Sequence, residues 1–178
     1  GQDAKKLSIA IYLGIEDARM FRERPELALI HDGREAWLEI FEPDVEVRDG
    51  DVFPFGSTTV RAVACPGHSP GATHYFISVT DGNQSLTAGL NGGAGLNTLC
   101  VDFRRQYGVD WREDFLASIH RSLQETADIF LGNHMQHNHP LERREKVLSG
   151  DKYAFVNPTE WVEFNEFCKQ NLLNMIEK

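Results

Sequence analysis

The segment Ala64-Cys65-Pro66-Gly67-His68-Ser69-Pro70-Gly71 holds a single histidine between two pairs made of proline and glycine. Residues 59–64 alternate in character, which predicts a half-buried strand with one face formed by Val60, Ala62 and Ala64. Because proline fixes its own φ and glycine accepts φ values that other residues resist, the following loop can present His68 in one direction. Such a loop at a strand end often carries a functional residue, and the alternative is a tight connection with a solvated histidine.

The composition of the chain bounds its class. Its 178 residues, 41 % of them hydrophobic, predict a single domain over residues 1–178. The net charge of −9, without a stripe rich in Lys and Arg, predicts no nucleic-acid partner. No apolar run approaches the roughly 20 residues that span a bilayer, so we expect no membrane partner. The odd, irregularly spaced set Cys65, Cys100 and Cys168 favours free thiols and a cytoplasmic location.

Hydrophobic periodicity predicts a chain that alternates between strands and helices. A strand at 7–13 precedes a helix at 14–21, and a loop-rich insertion at 22–43 contains a short helix at 35–40. A predicted β-meander then comprises strands at 45–48, 59–64, 73–80 and 85–88, with residues 52–56 leading into the second of these strands. The last third is predicted to contain helices at 111–126, 141–149 and 158–177, with a short buried strand at 128–132. The fold class is therefore α/β, a mixed β-sheet with flanking helices.

A second group of histidines follows the strand at 128–132. His134, His137 and His139 lie in a polar segment ending at Pro140, which we expect to prevent a helix there. Histidine is a common zinc ligand, but the spacing alone does not define a complete zinc site. His74 falls inside a predicted strand, so we expect a structural role for it.

The order of these segments resembles the C-terminal two-thirds of a metallo-β-lactamase-fold hydrolase. The resemblance covers most of the chain, and residues 66–71 are its most specific part. It implies part of a four-layer αβ/βα sandwich, with a two-zinc site along one edge between its sheets. Carried over by position, His68 would bind one metal ion and His134 the other. Asn91 and Asn97, on a glycine-rich loop, would line the substrate pocket, although a turn role is the alternative for both.

The chain also departs from the family pattern in two ways. A His-x-His-x-Asp-His motif, which supplies most of the family's ligands, has no counterpart, because the chain begins about where that motif would have passed. A metal-bridging aspartate found in many relatives corresponds to Gly89, which cannot bind metal through a side chain. We therefore expect this chain alone to be inactive and to bind zinc weakly, with His137 and His139 as accidental helpers.

The function that the resemblance implies is metal-dependent hydrolysis of a small-molecule substrate such as a β-lactam, thioester, lactone or phosphoester. Its mechanism is attack by a zinc-activated hydroxide on a carbonyl or ester. The alternative is a non-catalytic remnant or a binding and assembly module on the same scaffold. Two structural expectations follow: His68 and His134 lie close together, and the chain associates with itself or with the missing N-terminal segment through uncovered strand edges.

Overall fold

The computed structural model describes residues 9–28 and 39–176 of the chain, which contain seven strands and six α-helices. The strands are β1 (Tyr12–Gly14), β2 (Val45–Val47), β3 (Val52–Phe55), β4 (Thr58–Ala64), β5 (Thr73–Thr80), β6 (Ser85–Leu90) and β7 (Ile129–Leu131). The helices are α1 (Ile15–Glu23), α2 (Val101–Tyr107), α3 (Arg112–Ser122), α4 (Met135–Asn138), α5 (Pro140–Leu148) and α6 (Glu160–Ile176), with a 3₁₀ turn at Pro25–Ala28.

The main sheet has five strands in the order β3-β4-β5-β6-β7. Neighbouring strands from β3 to β6 are antiparallel, whereas β6 and β7 are parallel, with Leu90 opposite Leu131. Strand β3 lies at an edge, which suits Pro54 because proline cannot donate a hydrogen bond to a further strand. Strands β1 and β2 form a separate parallel pair. The predicted α/β class with a mixed sheet and flanking helices is confirmed.

Helices α3 and α6 contribute most of the main hydrophobic core. Trp161 of α6 is fully buried, and its indole nitrogen donates a hydrogen bond to the carbonyl of Ser122 in α3 at 2.8 Å. The Trp161 ring packs edge-on against Phe76 of β5, with the ring centroids 5.0 Å apart. Full burial of large apolar side chains such as these contributes roughly 2–3 kcal/mol each. The rest of this core comprises Val63, Leu99, Phe115, Ile119, Ala127, Phe130, Phe164, Cys168 and Leu172.

The strand before the His68 loop is buried on both faces at its end, which corrects the half-buried prediction. Ala62 is fully buried and Val63 is 1 % exposed, although they point to opposite faces of β4. The alternation holds only at the start of the strand, where Thr59 is exposed. The loop therefore leaves from the interior of the molecule.

Several other boundaries differ from the sequence predictions. Helix α2 was not predicted, because only Phe103 among its residues is buried and an apolar stripe is therefore missing. Pro140 does not prevent a helix before it: α4 forms one turn, His139 ends it with a φ of 47°, and Pro140 begins α5. The first strand covers Tyr12–Gly14 only, and most of the predicted helix at 35–40 lies outside the described residues.

The cysteines and the helix lengths were also addressed by the sequence predictions. The three cysteines are free thiols, as predicted, and burial raises the pKa of both Cys65 and Cys168 to about 12. Within the described ranges, no helix has the length and apolar character needed to cross a bilayer.

Candidate active site

Three loops meet at one edge of the main sheet. Strands β4, β6 and β7 run in the same direction, because β4 and β6 are both antiparallel to β5 and β7 is parallel to β6. Their carboxyl ends lead into the His68 loop, the glycine-rich loop at 91–97 and the His134 segment. The amide of Asn91 donates a hydrogen bond to the carbonyl of Leu131 at 3.3 Å, which ties the last two loops together.

The glycine-rich loop fixes the His68 ring. The ring nitrogen Nδ1 lies 2.9 Å from the carbonyl oxygen of Gly95. Since a carbonyl only accepts, Nδ1 carries the proton in this contact, and Nε2 of the neutral ring keeps its lone pair. A Cβ atom at Gly93 or Gly95 would lie within 3.0 Å of the ring, so both glycines permit the close approach. The hydroxyl of Thr98 donates to the carbonyl of His68 at 2.7 Å.

Asp17 holds the other end of the His68 loop. Its carboxylate accepts hydrogen bonds from the Ser69 hydroxyl at 2.8 Å and from the Gly71 amide at 2.7 Å. Burial raises the pKa of Asp17, while the two hydrogen bonds act in the opposite direction. Gly71 packs so closely on the start of α1 that a Cβ there would lie within 3.0 Å of the Asp17 backbone nitrogen. The first turn of α1, more than 50 positions earlier in the sequence, therefore holds the His68 loop in place.

A cavity of about 280 Å³ opens beside His68. One wall is apolar and belongs to a small hydrophobic cluster around the buried side chains of Met20, Leu27 and Phe103. The opposite wall carries the polar groups of the loops just described. The lining comprises Asp17, Met20, Phe21, Leu27, Ala28, His68, Ser69, Asn97, Thr98 and Trp111.

The two asparagines proposed to line a substrate pocket lie in different surroundings. Asn97 is exposed and lines the cavity beside His68. Asn91 is 4 % exposed, and its side-chain oxygen accepts the Gly93 amide at 2.9 Å in a local turn. It borders a separate cavity of only about 10 Å³, next to Cys65. Asn91 therefore supports the glycine-rich loop from below, which agrees with the turn role left open for it, and substrate contact stays a prediction for Asn97.

The His134 side of the edge is more open. His134 is exposed and lies two residues beyond the end of β7, after Gly132 and Asn133. It lines a different cavity of about 360 Å³, together with Met135 and Phe155. Its ring lies 5.0 Å, centroid to centroid, from that of His137, at an angle of 84°. The Nδ1 atom of His137 is buried without a hydrogen-bond partner, and burial lowers the pKa of this ring.

His74 lies inside β5, as predicted, and is 4 % exposed. Its Nε2 atom is 2.7 Å from the hydroxyl of Ser122, and its Nδ1 atom accepts the amide of Gly92 at 2.9 Å. Burial lowers the pKa of His74 to about 4, so the ring is neutral at physiological pH. Both nitrogens are occupied, which gives His74 a structural role beneath the glycine-rich loop.

The donor set fits individual zinc ligands but not a complete site. The Nδ1 contact of His68 with a backbone carbonyl is the arrangement that orients metal-binding histidines. Over residues 9–28 and 39–176, however, no group of three or more His, Cys, Asp or Glu side chains is placed to hold a metal ion. His68 and His134 line separate cavities, and β4 and β7 are three strand spacings apart, roughly 14 Å. The predicted proximity of the two rings stays a prediction.

Gly89 is not a lost metal ligand at the sheet edge. Strand β6 continues to Leu90, and a Cβ at Gly89 would lie 2.9 Å from the Ala127 Cβ and 3.0 Å from the Trp161 ring. A side chain at this position would enter the hydrophobic core. The suggested correspondence of Gly89 with a metal-bridging aspartate is therefore wrong.

This fold is that of the metallo-β-lactamases. The chain superimposes on a subclass B3 metallo-β-lactamase of Bradyrhizobium japonicum with a TM-score of 0.81 and 20 % identity, over 98 % of this chain and 65 % of that one. It superimposes on the native metallo-β-lactamase of Legionella gormanii with a TM-score of 0.82 and 20 % identity, over 98 % of this chain and 67 % of that one. For the metallo-β-lactamase of Elizabethkingia meningoseptica the TM-score is 0.79 and the identity 16 %, over 99 % of this chain and 66 % of that one.

The chain thus spans 65–67 % of the length of these three structures. No protein-family model matches it, and no curated protein matches it significantly. The likeness establishes the predicted metallo-β-lactamase-like sandwich, and activity is a separate question.

Sequence reasoning missed the residues that hold His68 in place. Asp17, Gly95 and Thr98 are 27 to 54 positions from their partners in the loop. The acidic first turn of α1 was visible, but an acidic residue there is equally explained by the helix dipole. The three glycines among residues 92–95 were the one available signal, because they indicated close approach of the backbone to another group.

Proposed function

We propose that this chain is the C-terminal portion of a metal-dependent hydrolase of the metallo-β-lactamase superfamily. The observation that carries the proposal is His68, whose Nδ1 atom is held by the Gly95 carbonyl at the wall of a cavity of about 280 Å³. In an enzyme of this fold, His68 would bind one zinc ion through Nε2, and His134 would bind the other. The remaining ligands would come from outside the described residues.

The chemistry that zinc supplies when bound in such a site is a hydroxide nucleophile at neutral pH and polarisation of the substrate carbonyl. The chain's own residues do the positioning. His68 presents a lone pair in a fixed direction, because both its ring and its backbone carbonyl are hydrogen-bonded. Asn97, at the exposed rim of the cavity, would donate an amide hydrogen to the carbonyl group of a small-molecule substrate.

A second candidate is a binding or assembly module on the same scaffold without catalysis. The lack of a three-ligand group among residues 9–28 and 39–176 favours it. Both candidates allow the chain to associate through the β1–β2 pair, in which β1 pairs on one side only within residues 9–28 and 39–176. Light scattering at high concentration would detect this association. A cytoplasmic location stays a prediction.

Zinc titration followed by NMR of the histidine rings separates the candidates. We expect saturable shifts of the His68 and His134 ring nitrogens, whereas His120, exposed on α3, serves as the matched control and does not move. Because each ion has one such ligand here, binding is weak and hydrolysis of a chromogenic β-lactam or an aryl ester by this chain stays undetectable. Absence of a shift at both rings would favour the module.

Tight zinc retained through purification, together with turnover lost in His68→Ala and His134→Ala, would overturn the expected inactivity. It would show that further ligands complete the site within this chain.

A further inference from the structure

The two faces of the main sheet differ in what packs against them. Side chains alternate between the faces of a strand, and partners in register share a face. One face carries Val63, Phe76 and Phe130, which are buried in the same cluster as residues of α3 and α6. The side chains of the other face belong to neither of the two hydrophobic clusters of the described residues. We call this second surface the open face.

The open face is apolar and uncharged. Strand register places its side chains in two main rows, Phe53-Val60-Ile77-Ala88-Ile129 and Ala62-Tyr75-Leu90-Leu131, extended by the pairs Phe55–Thr58 and Val79–Leu86. Apart from the small residues Ala62 and Ala88, all of them keep part of their surface exposed. Phe76, on the opposite face of β5, is only 4 % exposed. A contiguous apolar surface of this extent marks an interaction site.

Strand β1 packs against the β3 end of the open face. The Tyr12 ring lies edge-on to Phe53, with the centroids 5.1 Å apart. The larger side chains of β4 to β7 remain partly exposed. With strands about 4.8 Å apart and three rows about 7 Å apart, the part formed by these four strands measures roughly 400 Å². Two such faces cover about 800 Å² as flat surfaces, and more along the side-chain contours, which approaches the roughly 1,000 Å² of a specific interface.

A second copy of this chain matches the open face in shape and charge. Sheets pack about 10 Å apart with their strands aligned to within roughly 30° when their twists agree, and two copies share one twist. A twofold axis along the strands, between β5 and β6, lays β4 to β7 of one copy over β7 to β4 of the other. Ile77 then lies over the smaller Ala88 of the second copy, so that large side chains meet small ones. Because the face is uncharged, the copies meet without the repulsion that the net charge of −9 produces elsewhere.

We propose that the open face is the interface of a homodimer in which two copies stack their main sheets face to face. The proposal requires no metal ion and goes beyond the hydrolase function. Because the area is close to the lower limit for a specific interface, we expect a dimer that dissociates on dilution. Added salt should strengthen it, since salt screens the repulsion between two acidic copies.

Sedimentation velocity of the full chain over a wide concentration range tests this interface. We expect the weight-average mass to rise from 20.2 kDa towards twice that value. Ile77→Lys places a charge at the centre of the interface, so it should raise the dissociation constant of the dimer by roughly tenfold or more. Ser78→Lys is the matched control, because this exposed neighbour lies on the opposite face of β5 and should change the constant by less than about twofold.

Leu86→Lys, on the same face of β6, is a second probe of the interface, and near-UV circular dichroism checks that each variant is folded. A mass that stays at 20.2 kDa at every concentration would overturn the proposal and leave the open face to a different polypeptide. Species larger than a dimer would also overturn it, because a twofold interface closes. Association that survives both Ile77→Lys and Leu86→Lys would be strand pairing at the β1 edge, and would refute the assignment to the open face.

Discussion

The two histidines that the resemblance assigns to metal binding differ in how firmly the fold holds them. His68 is half-buried, and its ring and its loop donate hydrogen bonds to Gly95 and Asp17, which lie in two other segments and hold them in place. His134 is exposed and is followed by a single helical turn. The fold itself therefore holds the His68 ring in one orientation, whereas the His134 ring has no comparable support among the described residues.

The largest expected effect tests the rigidity of the His68 loop. Gly67 has a φ of +137°, and a Cβ there would lie within 3.0 Å of the Phe115 backbone in α3. Gly67→Ala should therefore lower the free energy of unfolding by roughly 3 kcal/mol in urea denaturation, since backbone strain and a steric clash add.

Gly50→Ala is the matched control, because Gly50 also has a positive φ, +80°, but has open space around it. We expect a loss of roughly 1 kcal/mol there from strain alone. Equal losses at Gly67 and Gly50 would show that the loop is not tightly packed on α3.

The second prediction concerns His74, which accepts a hydrogen bond from the glycine-rich loop beneath His68. Its pKa is lowered from 6.5 to about 4, so the unfolded chain binds a proton that the folded chain rejects. The resulting stability is fully present above about pH 6.5 and is lost as the pH falls to 4. The loss attributable to this group is roughly 3 kcal/mol.

Carboxylates titrate over the same range, so the measurement is a difference between variants. His74→Gln should flatten the fall in unfolding free energy between pH 6.5 and 4, whereas His120→Gln, at an exposed site, should not. A His74→Gln profile parallel to that of the unmodified chain would contradict the buried, neutral state of the ring.

Some parts of the His68 site could be predicted from the sequence and others could not. Strand β5 was predicted with its observed limits, Thr73–Thr80, because β-branched and aromatic residues run up to the turn at 81–83. The position of His68 after β4 was also predictable from local proline and glycine. The hydrogen bonds that Asp17 accepts from Ser69 and Gly71 were not predictable, because they join residues 52 and 54 positions apart, and local sequence patterns do not indicate such distant partners.

The third prediction concerns removal of the Asp17 carboxylate, which supports the His68 loop. Asp17→Ala leaves the Ser69 hydroxyl and the Gly71 amide without their partner, so we expect a loss of about 2 kcal/mol in unfolding free energy. Amide exchange should accelerate in the loop at 66–71. Glu16→Ala, which removes an exposed ion pair with Arg19 and one acidic residue from the same helix turn, should lower the unfolding free energy by no more than about 0.5 kcal/mol and leave the exchange unchanged. Unchanged exchange in Asp17→Ala would mean that the loop holds itself.

The smallest effect on the unfolding free energy is expected at His134. His134→Ala should change the unfolding free energy by no more than about 0.5 kcal/mol, because an exposed side chain outside any buried network is usually neutral. His137→Ala is the control, with a larger expected effect. The His137 and Phe164 ring centroids are 4.7 Å apart, so truncation of His137 removes packing contacts. His137→Ala also removes a buried nitrogen that has no hydrogen-bond partner, which offsets part of that loss and leaves roughly 1 kcal/mol. A loss at His134 larger than that at His137 would place His134 in a network of its own and would remove the contrast with His68, because the fold would then hold both rings firmly.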